Sequence, residues 1–295
     1  MKRRDCLKLL GALPVCPASP KSACTEEDDH RFGILIDTTV CIGCRKCEWA
    51  CDQENQLSDQ PMETFEDKSV FDQQRRPDAT HFTVVNQYPD PKQPDKPVWV
   101  KVQCMHCEHP ACVSACLVRA MTKEENGAVI YHPDRCMGCR YCMIACPFQA
   151  TAYEYHNALT PKVQKCSLCF ERISETGGVP ACVKMCPPQA LTFGLRKDLI
   201  ELAHMRIQAK PDQYIDHIYG EYEVGGTSML YLAGQPFEQL GLPVLASAIP
   251  PQLTETIQHG IFKYFIPQVA LYGLLLGIMK MYENPDEDEE QGGIS

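Results

Sequence analysis

Cys136-Met137-Gly138-Cys139-Arg140-Tyr141-Cys142-Met143-Ile144-Ala145-Cys146-Pro147 sets four thiols at spacings of C-x2-C-x2-C-x3-C and closes on a proline. Thiolates so spaced hold a 4Fe-4S cubane with the first three sulfurs and lend the fourth to a neighbouring cluster. One such stretch therefore implies another. The tight loop brings three soft donors to one face and turns backbone N–H groups towards sulfur, so the loop itself creates most of the site.

Working outward, the same intervals recur in Cys41, Cys44, Cys47 and Cys51. A C-x2-C-x4-C-x3-C variant follows in Cys104, Cys107, Cys112 and Cys116, with His106, Glu108, His109 and Pro110 in and beside its wider interval. In the fourth group Cys166 and Cys169 are separated by a loop containing Gly177 and Gly178 from Cys182 and Cys186, and Pro187 ends it. Four thiols are already present in the variant group, so neither histidine is assigned as a ligand. An internal repeat runs through these units, because Ala120, Ala150 and Ala190 each sit four residues after the last cysteine of a group and each opens a short strand. Proline follows the fourth cysteine in two units (Pro147, Pro187), whereas Leu117 and Asp52 hold that place in the others. Those departures bear on turn geometry, not on ligation.

Composition narrows the chemistry. The chain has 295 residues, 44% of them hydrophobic, enough for a packed core in one large domain or two small ones. Its 19 cysteines make an odd total, and repeated triplets two residues apart would pair ambiguously, which disfavours a disulfide framework. Zinc ribbons use paired C-x2-C units and seldom need the third close cysteine or the x3-C-P ending. A net charge of -10 with no basic face excludes a nucleic-acid partner. There is no nucleophile-base pattern, no glycine-rich phosphate loop and no readable open metal site, so the chain is expected to conduct electrons and not to transform a substrate. Arg45, Lys46, Arg140 and Lys165 lie within or beside cysteine loops, where they either favour reduction electrostatically or are solvated surface charges.

Outside the motifs, strands are expected at Phe32–Ile36, Val98–Val102 and Ala128–Tyr131, and a helix at Glu201–Lys210. Residues 52–97, with Pro61, Pro77, Pro89, Pro91, Pro94 and Pro97, read as a long insertion with little regular structure. At the N-terminus Arg3 and Arg4 precede a short apolar segment, which resembles a twin-arginine export signal over residues 1–30. Ile261–Met281 is mostly apolar and long enough, roughly 30 Å as a helix, to cross a bilayer. The organisation is thus a signal segment (1–30), a cluster domain (31–205), an extension (206–256), an anchor helix (257–282) and an acidic tail (283–295).

The four groups together resemble the four-cluster iron-sulfur subunits of membrane-bound respiratory oxidoreductases, over nearly the whole chain after residue 30. That family includes the iron-sulfur subunits of respiratory formate dehydrogenase and of hydrogenase-2-type nickel-iron hydrogenases. The resemblance implies an α+β fold of two interlocked ferredoxin-like units holding four 4Fe-4S clusters. It further implies that fourth cysteines are exchanged. Cys41, Cys44, Cys47 and Cys186 would hold one cluster, and Cys166, Cys169, Cys182 and Cys51 its neighbour. Cys104, Cys107, Cys112 and Cys146 would hold the third, and Cys136, Cys139, Cys142 and Cys116 the fourth. Tyr219–Thr227, Gln235–Glu238, Leu242-Pro243 and Ile257-Gln258-His259 are similar to the C-terminal extension of these subunits, nearer the hydrogenase version. The expected role is electron relay between a nickel-iron hydrogenase and a quinone-reactive membrane subunit, on the periplasmic side of the inner membrane. The beta subunit of a formate dehydrogenase or another molybdopterin oxidoreductase is the alternative, and a soluble polyferredoxin is one of another class.

Overall fold

The computed structural model describes residues 30–93, 95–157, 162–251 and 267–280. Residues 1–29 of the export-like segment and the acidic tail lie outside them. Strands run β1 Phe32–Asp37, β2 Thr83–Tyr88, β3 Val98–Gln103, β4 Met121–Lys123, β5 Val129–Tyr131, β6 Ala152–Tyr153, β7 Val163–Gln164, β8 Leu191–Leu195 and β9 Met229–Leu232. Helices are α1 Lys46–Glu54, α2 Ala111–Ser114, α3 Tyr141–Ala145, α4 Phe170–Thr176, α5 Ala181–Lys184 and α6 Arg196–Ala209.

The apolar run of β1 has no polar alternation because both of its faces are covered. Ile34 and Ile36 point to a core shared with Leu168, Leu191, Met229 and Tyr231 on the cysteine-loop side. Leu35, one residue out of phase, points to the other side and packs on Leu199, Ala203 and Ile207 of α6. Those three recur at i, i+4 and i+8, one stripe of the helix. Leu35 is 0% exposed, a burial that stabilises by about 1.5–3 kcal/mol.

β1 is the middle strand of a three-stranded sheet ordered β8-β1-β9, antiparallel to β8 and parallel to β9. The register Ile36↔Leu191 decides the site, because β1 leads into the first cysteine group and β8 leaves the fourth. The remaining strands form antiparallel pairs β2-β3, β4-β5 and β6-β7. β4, β6 and β8 each open just after Ala120, Ala150 and Ala190, as the repeat predicts.

Two expectations are corrected. Residues 52–97 carry more regular structure than their prolines suggest: 3-10 turns at Met62–Glu66 and Ser69–Asp72, and all of β2. The β-branched run Thr83-Val84-Val85 pairs with β3, and Pro89, Pro91 and Pro97 occupy the connection, where no ladder N–H is needed. The helix expected at Glu201–Lys210 starts earlier, at Arg196, and ends at Ala209. β9 then places the extension inside the central sheet, next to β1.

The insertion is tied to the first cysteine group by two buried carboxylates of α1. Glu48 accepts from Arg45, Arg75 and the Val85 N–H. Asp52 meets His81 Nδ1 at 2.7 Å. The Asp52 carboxylate holds the His81 imidazole above its usual value against burial, while burial lifts the Asp52 carboxyl. The His81 contribution is therefore fully present below the ordinary imidazole value and is lost as pH rises through the raised folded one. His81→Asn is expected to lower stability by roughly 1–2 kcal/mol near pH 6 and far less at alkaline pH, read from thermal unfolding of both proteins across pH.

Among the described residues no helix is long and apolar enough to cross a membrane. Residues 267–280 are helical and exposed; 257–266 and 281–282 of the expected anchor lie outside the described residues.

Candidate iron-sulfur centres

Each cysteine group folds by the same backbone device. The second residue between the first two cysteines has positive φ in all four groups: Gly43 (66°), His106 (47°), Gly138 (76°) and Leu168 (60°). This left-handed residue reverses the chain so that both thiols face one space, and it suits glycine. At Gly43 a Cβ would also lie 2.3 Å from the Trp99 ring. His106 and Leu168 adopt the same conformation despite their side chains. Both are buried, so packing over-determines the strained backbone. Glycine at two of these positions is a local signal of the turn, and the other two positions carry none.

A second device serves the fourth cysteines. Arg119, Gln149 and Gln189 have φ of 52°, 51° and 53°, each three residues after Cys116, Cys146 and Cys186. The turn aims the following alanine N–H back at the thiol: Ala120 donates to Cys116 Sγ at 3.1 Å, and Ala150 and Ala190 donate to Cys146 and Cys186. The alanine repeat is thus a hydrogen-bond repeat. Leu117 keeps this turn without a proline. The first group departs, because α1 continues past Cys51 to Glu54 and the Asn55 side-chain amide donates to Cys51 Sγ at 3.6 Å instead.

Tertiary packing brings the thiols together in sets that cross the groups. One cavity is lined by Cys41, Cys44, Cys47 and Cys186, and another by Cys51, Cys166, Cys169 and Cys182. The β1-β8 register and the packing of α1 on α5 produce both. In the inner half, built from the second and third cysteine groups, α2 packs on α3. Cys104, Cys112 and Cys146 are the thiol neighbours of Cys107, while Cys116, Cys136 and Cys139 are those of Cys142. The sets also adjoin in a line. Cys182 neighbours Cys47 and Cys186, Cys104 neighbours Cys166, and Cys142 neighbours Cys112.

The donor set fits iron-sulfur cubanes. Burial first, and neighbouring sulfurs second, push the thiols of Cys41 and Cys142 to about 11 and those of Cys112 and Cys169 to about 12. Cysteines held this way stay protonated near neutral pH and give up their protons on binding a metal. Four thiolates on a single zinc ion stand about 3.8 Å apart. Among the described residues no three Cys, His, Asp or Glu side chains converge closely enough for one ion. Donors splayed around a cavity suit a cage of several irons.

The residues around the loops sort differently from their sequence reading. His106 is wholly buried, while His109 is exposed. His106 Nδ1 accepts the Val129 N–H, so the neutral ring carries its proton on Nε2, a buried donor with no acceptor among the described residues. Glu108 explains the wider interval of the second group: it pairs with Arg31, Lys123 and Arg196, tying the loop to the start of β1 and to α6. Arg45 is a buried partner of Glu48, and Lys165 donates to the Val129 and Cys166 carbonyls. Arg140 is exposed and lies over the Tyr153 ring. Cys139 is exposed, and so are Met137 and Tyr141 two residues to either side and Ile144 on the helix that follows.

Residues 97–196 match the family described as 4Fe-4S dicluster domain. The chain is 33% identical over 335 residues to the hydrogenase-2 operon protein HybA of Escherichia coli, covering 99% of this chain and 98% of that one. It is 37% identical over 253 residues to the nitrate-inducible formate dehydrogenase iron-sulfur subunit of Escherichia coli, covering 82% and 81%. A protein of Nitratidesulfovibrio vulgaris is 48% identical over 250 residues, covering 82% and 67%.

Proposed function

We propose, for a chain that belongs to the 4Fe-4S electron-transfer subunits of hydrogenase-2 and formate dehydrogenase type, that four clusters sit on its sixteen grouped cysteines. The observation that carries this is the convergence of the thiols into four sets of four, each taking one member from another group. When bound, the clusters supply one-electron exchange. The chain's own residues hold them, exclude water and aim N–H groups at sulfur. The linear adjacency of the sets supports a path from Cys41, Cys44, Cys47 and Cys186 through the Cys166 and Cys104 sets to the set around Cys139.

The catalytic partner on this reading is a nickel-iron hydrogenase, favoured by the match over 99% of the chain to the hydrogenase-2 operon protein. A formate dehydrogenase is the second reading, favoured by the 37% identity to that iron-sulfur subunit. Exposed Cys139, with exposed Met137 and Tyr141 beside it in the chain, suits a redox partner docked where a cluster approaches the surface. The apolar stretch from Leu271 to Met279, helical and exposed, supports a membrane tether, and Arg3-Arg4 supports export to the periplasmic face. Purification of the native complex tests the whole: iron and acid-labile sulfide of about sixteen each per chain are expected. A nickel-containing partner is expected, whereas molybdopterin would install the second reading. Membrane association that survives deletion of residues 257–282 would remove the tether.

A further inference from the structure

A lysine that no cysteine motif contains sits between the two outer thiol sets, those built from the first and fourth cysteine groups. Lys101, on β3, is 5% exposed and lines both the cavity of Cys41, Cys44, Cys47 and Cys186 and that of Cys51, Cys166, Cys169 and Cys182. Its charge acts most strongly on Cys182, Cys47, Cys166 and Cys51, thiols drawn from both sets. Its one hydrogen bond to a side chain is to Gln103 Oε1 at 3.0 Å, and no carboxylate pairs with it among the described residues. Gln103 in turn donates to the Tyr231 hydroxyl, which donates to the Lys101 carbonyl, so β9 fixes the ammonium from behind. The side chain is therefore placed, not mobile.

A buried ammonium without a carboxylate is costly unless negative charge lies close on another side. Here that side is sulfur. A cubane on four thiolates carries net negative charge that grows by one when it takes up an electron. We propose that Lys101 is the shared counter-charge of the two outer clusters, a positioning residue that raises the reduction potential of both and so holds the electron between them in transit. Each passage adds one electron to an outer cluster and removes one from its neighbour; no bond breaks and Lys101 keeps its proton. This rests on the cluster assignment above. It singles Lys101 out from Arg45, whose charge is met by Glu48, and from Arg140, which is exposed.

Redox titration of the purified native complex, followed by electron paramagnetic resonance, tests it. In Lys101→Met, similar in length and uncharged, the reduction equilibrium of the two outer clusters is expected to fall at least tenfold, 59 mV for a one-electron couple, while the inner two keep their values. Lys101→Arg is expected to restore most of the shift. Unchanged outer potentials, an equal fall in all four clusters, or a fall in Lys101→Arg as large as in Lys101→Met each overturns the proposal. If Lys101→Met assembles without full iron, Lys101→Gln is read in its place. Iron loss in all three variants makes the lysine structural and also overturns it. A wild-type iron content far below sixteen instead defeats the cluster assignment, a failure distinguishable from that of Lys101.

Discussion

Cys186→Ala is expected to disable the cluster of Cys41, Cys44 and Cys47, 139–145 residues away in sequence, and to leave the clusters of the other three sets in place. The β1-β8 register and the shared cavity put Cys186 with the first group, while its own group neighbour Cys182 lines the second cavity. Iron should fall by roughly a quarter at most, with one paramagnetic signal lost or converted. The informative comparison uses three variants. Cys47→Ala should remove the same signal as Cys186→Ala, and Cys182→Ala a different one. If Cys186→Ala and Cys182→Ala instead abolish one common signal, each group would be closing its own cluster and the exchange would be wrong. The effect should be large because cluster binding and folding of these loops are one equilibrium.

Glu48→Ala is expected to be the most damaging change that touches no thiol. The carboxylate is 0% exposed and receives Arg75 Nη2 at 2.6 Å, the Val85 N–H at 2.6 Å and Arg45 Nη2 at 3.0 Å. Removing one partner of a buried ion pair costs about 3–5 kcal/mol, because the remaining charge stays buried and uncompensated. Two guanidinium groups would be stranded here, one of them 7% exposed. The damage should also spread. Glu48 lies on α1 between Cys47 and Cys51, which belong to different sets, so both outer clusters should become labile and the insertion should detach from α1. Thermal unfolding of the loaded protein, with iron release followed in parallel, measures both effects. A melting curve and iron content matching wild type would show that the network carries little stability. Glu48→Gln keeps an acceptor for Val85 and should fall between the two.

Much of the site was legible along the chain because a cubane is a local demand: three sulfurs from one short loop, at intervals that few other centres require. Gly43 and Gly138 were equally legible, since a left-handed residue is needed where the loop reverses. Leu168 and His106 do the same work unannounced. Their strained backbone is held by burial among residues far away in sequence, and no local pattern records that. The insertion was misjudged for a related reason. Its prolines are visible at once, but β2 forms because β3 is there to pair with it.

By itself the sequence determined the chemistry: sixteen cysteines in four groups, the alanines that follow three of them, and the apolar run of β1. Those are set by thiolate spacing and by side-chain period, which act over a few residues. The linear order of the sets, the counter-charge of Lys101 and the network around Glu48 were decided by the tertiary structure alone. Each depends on strands and helices distant in sequence meeting across one core, and electrostatic energy in a buried site follows distance in space, not position along the chain.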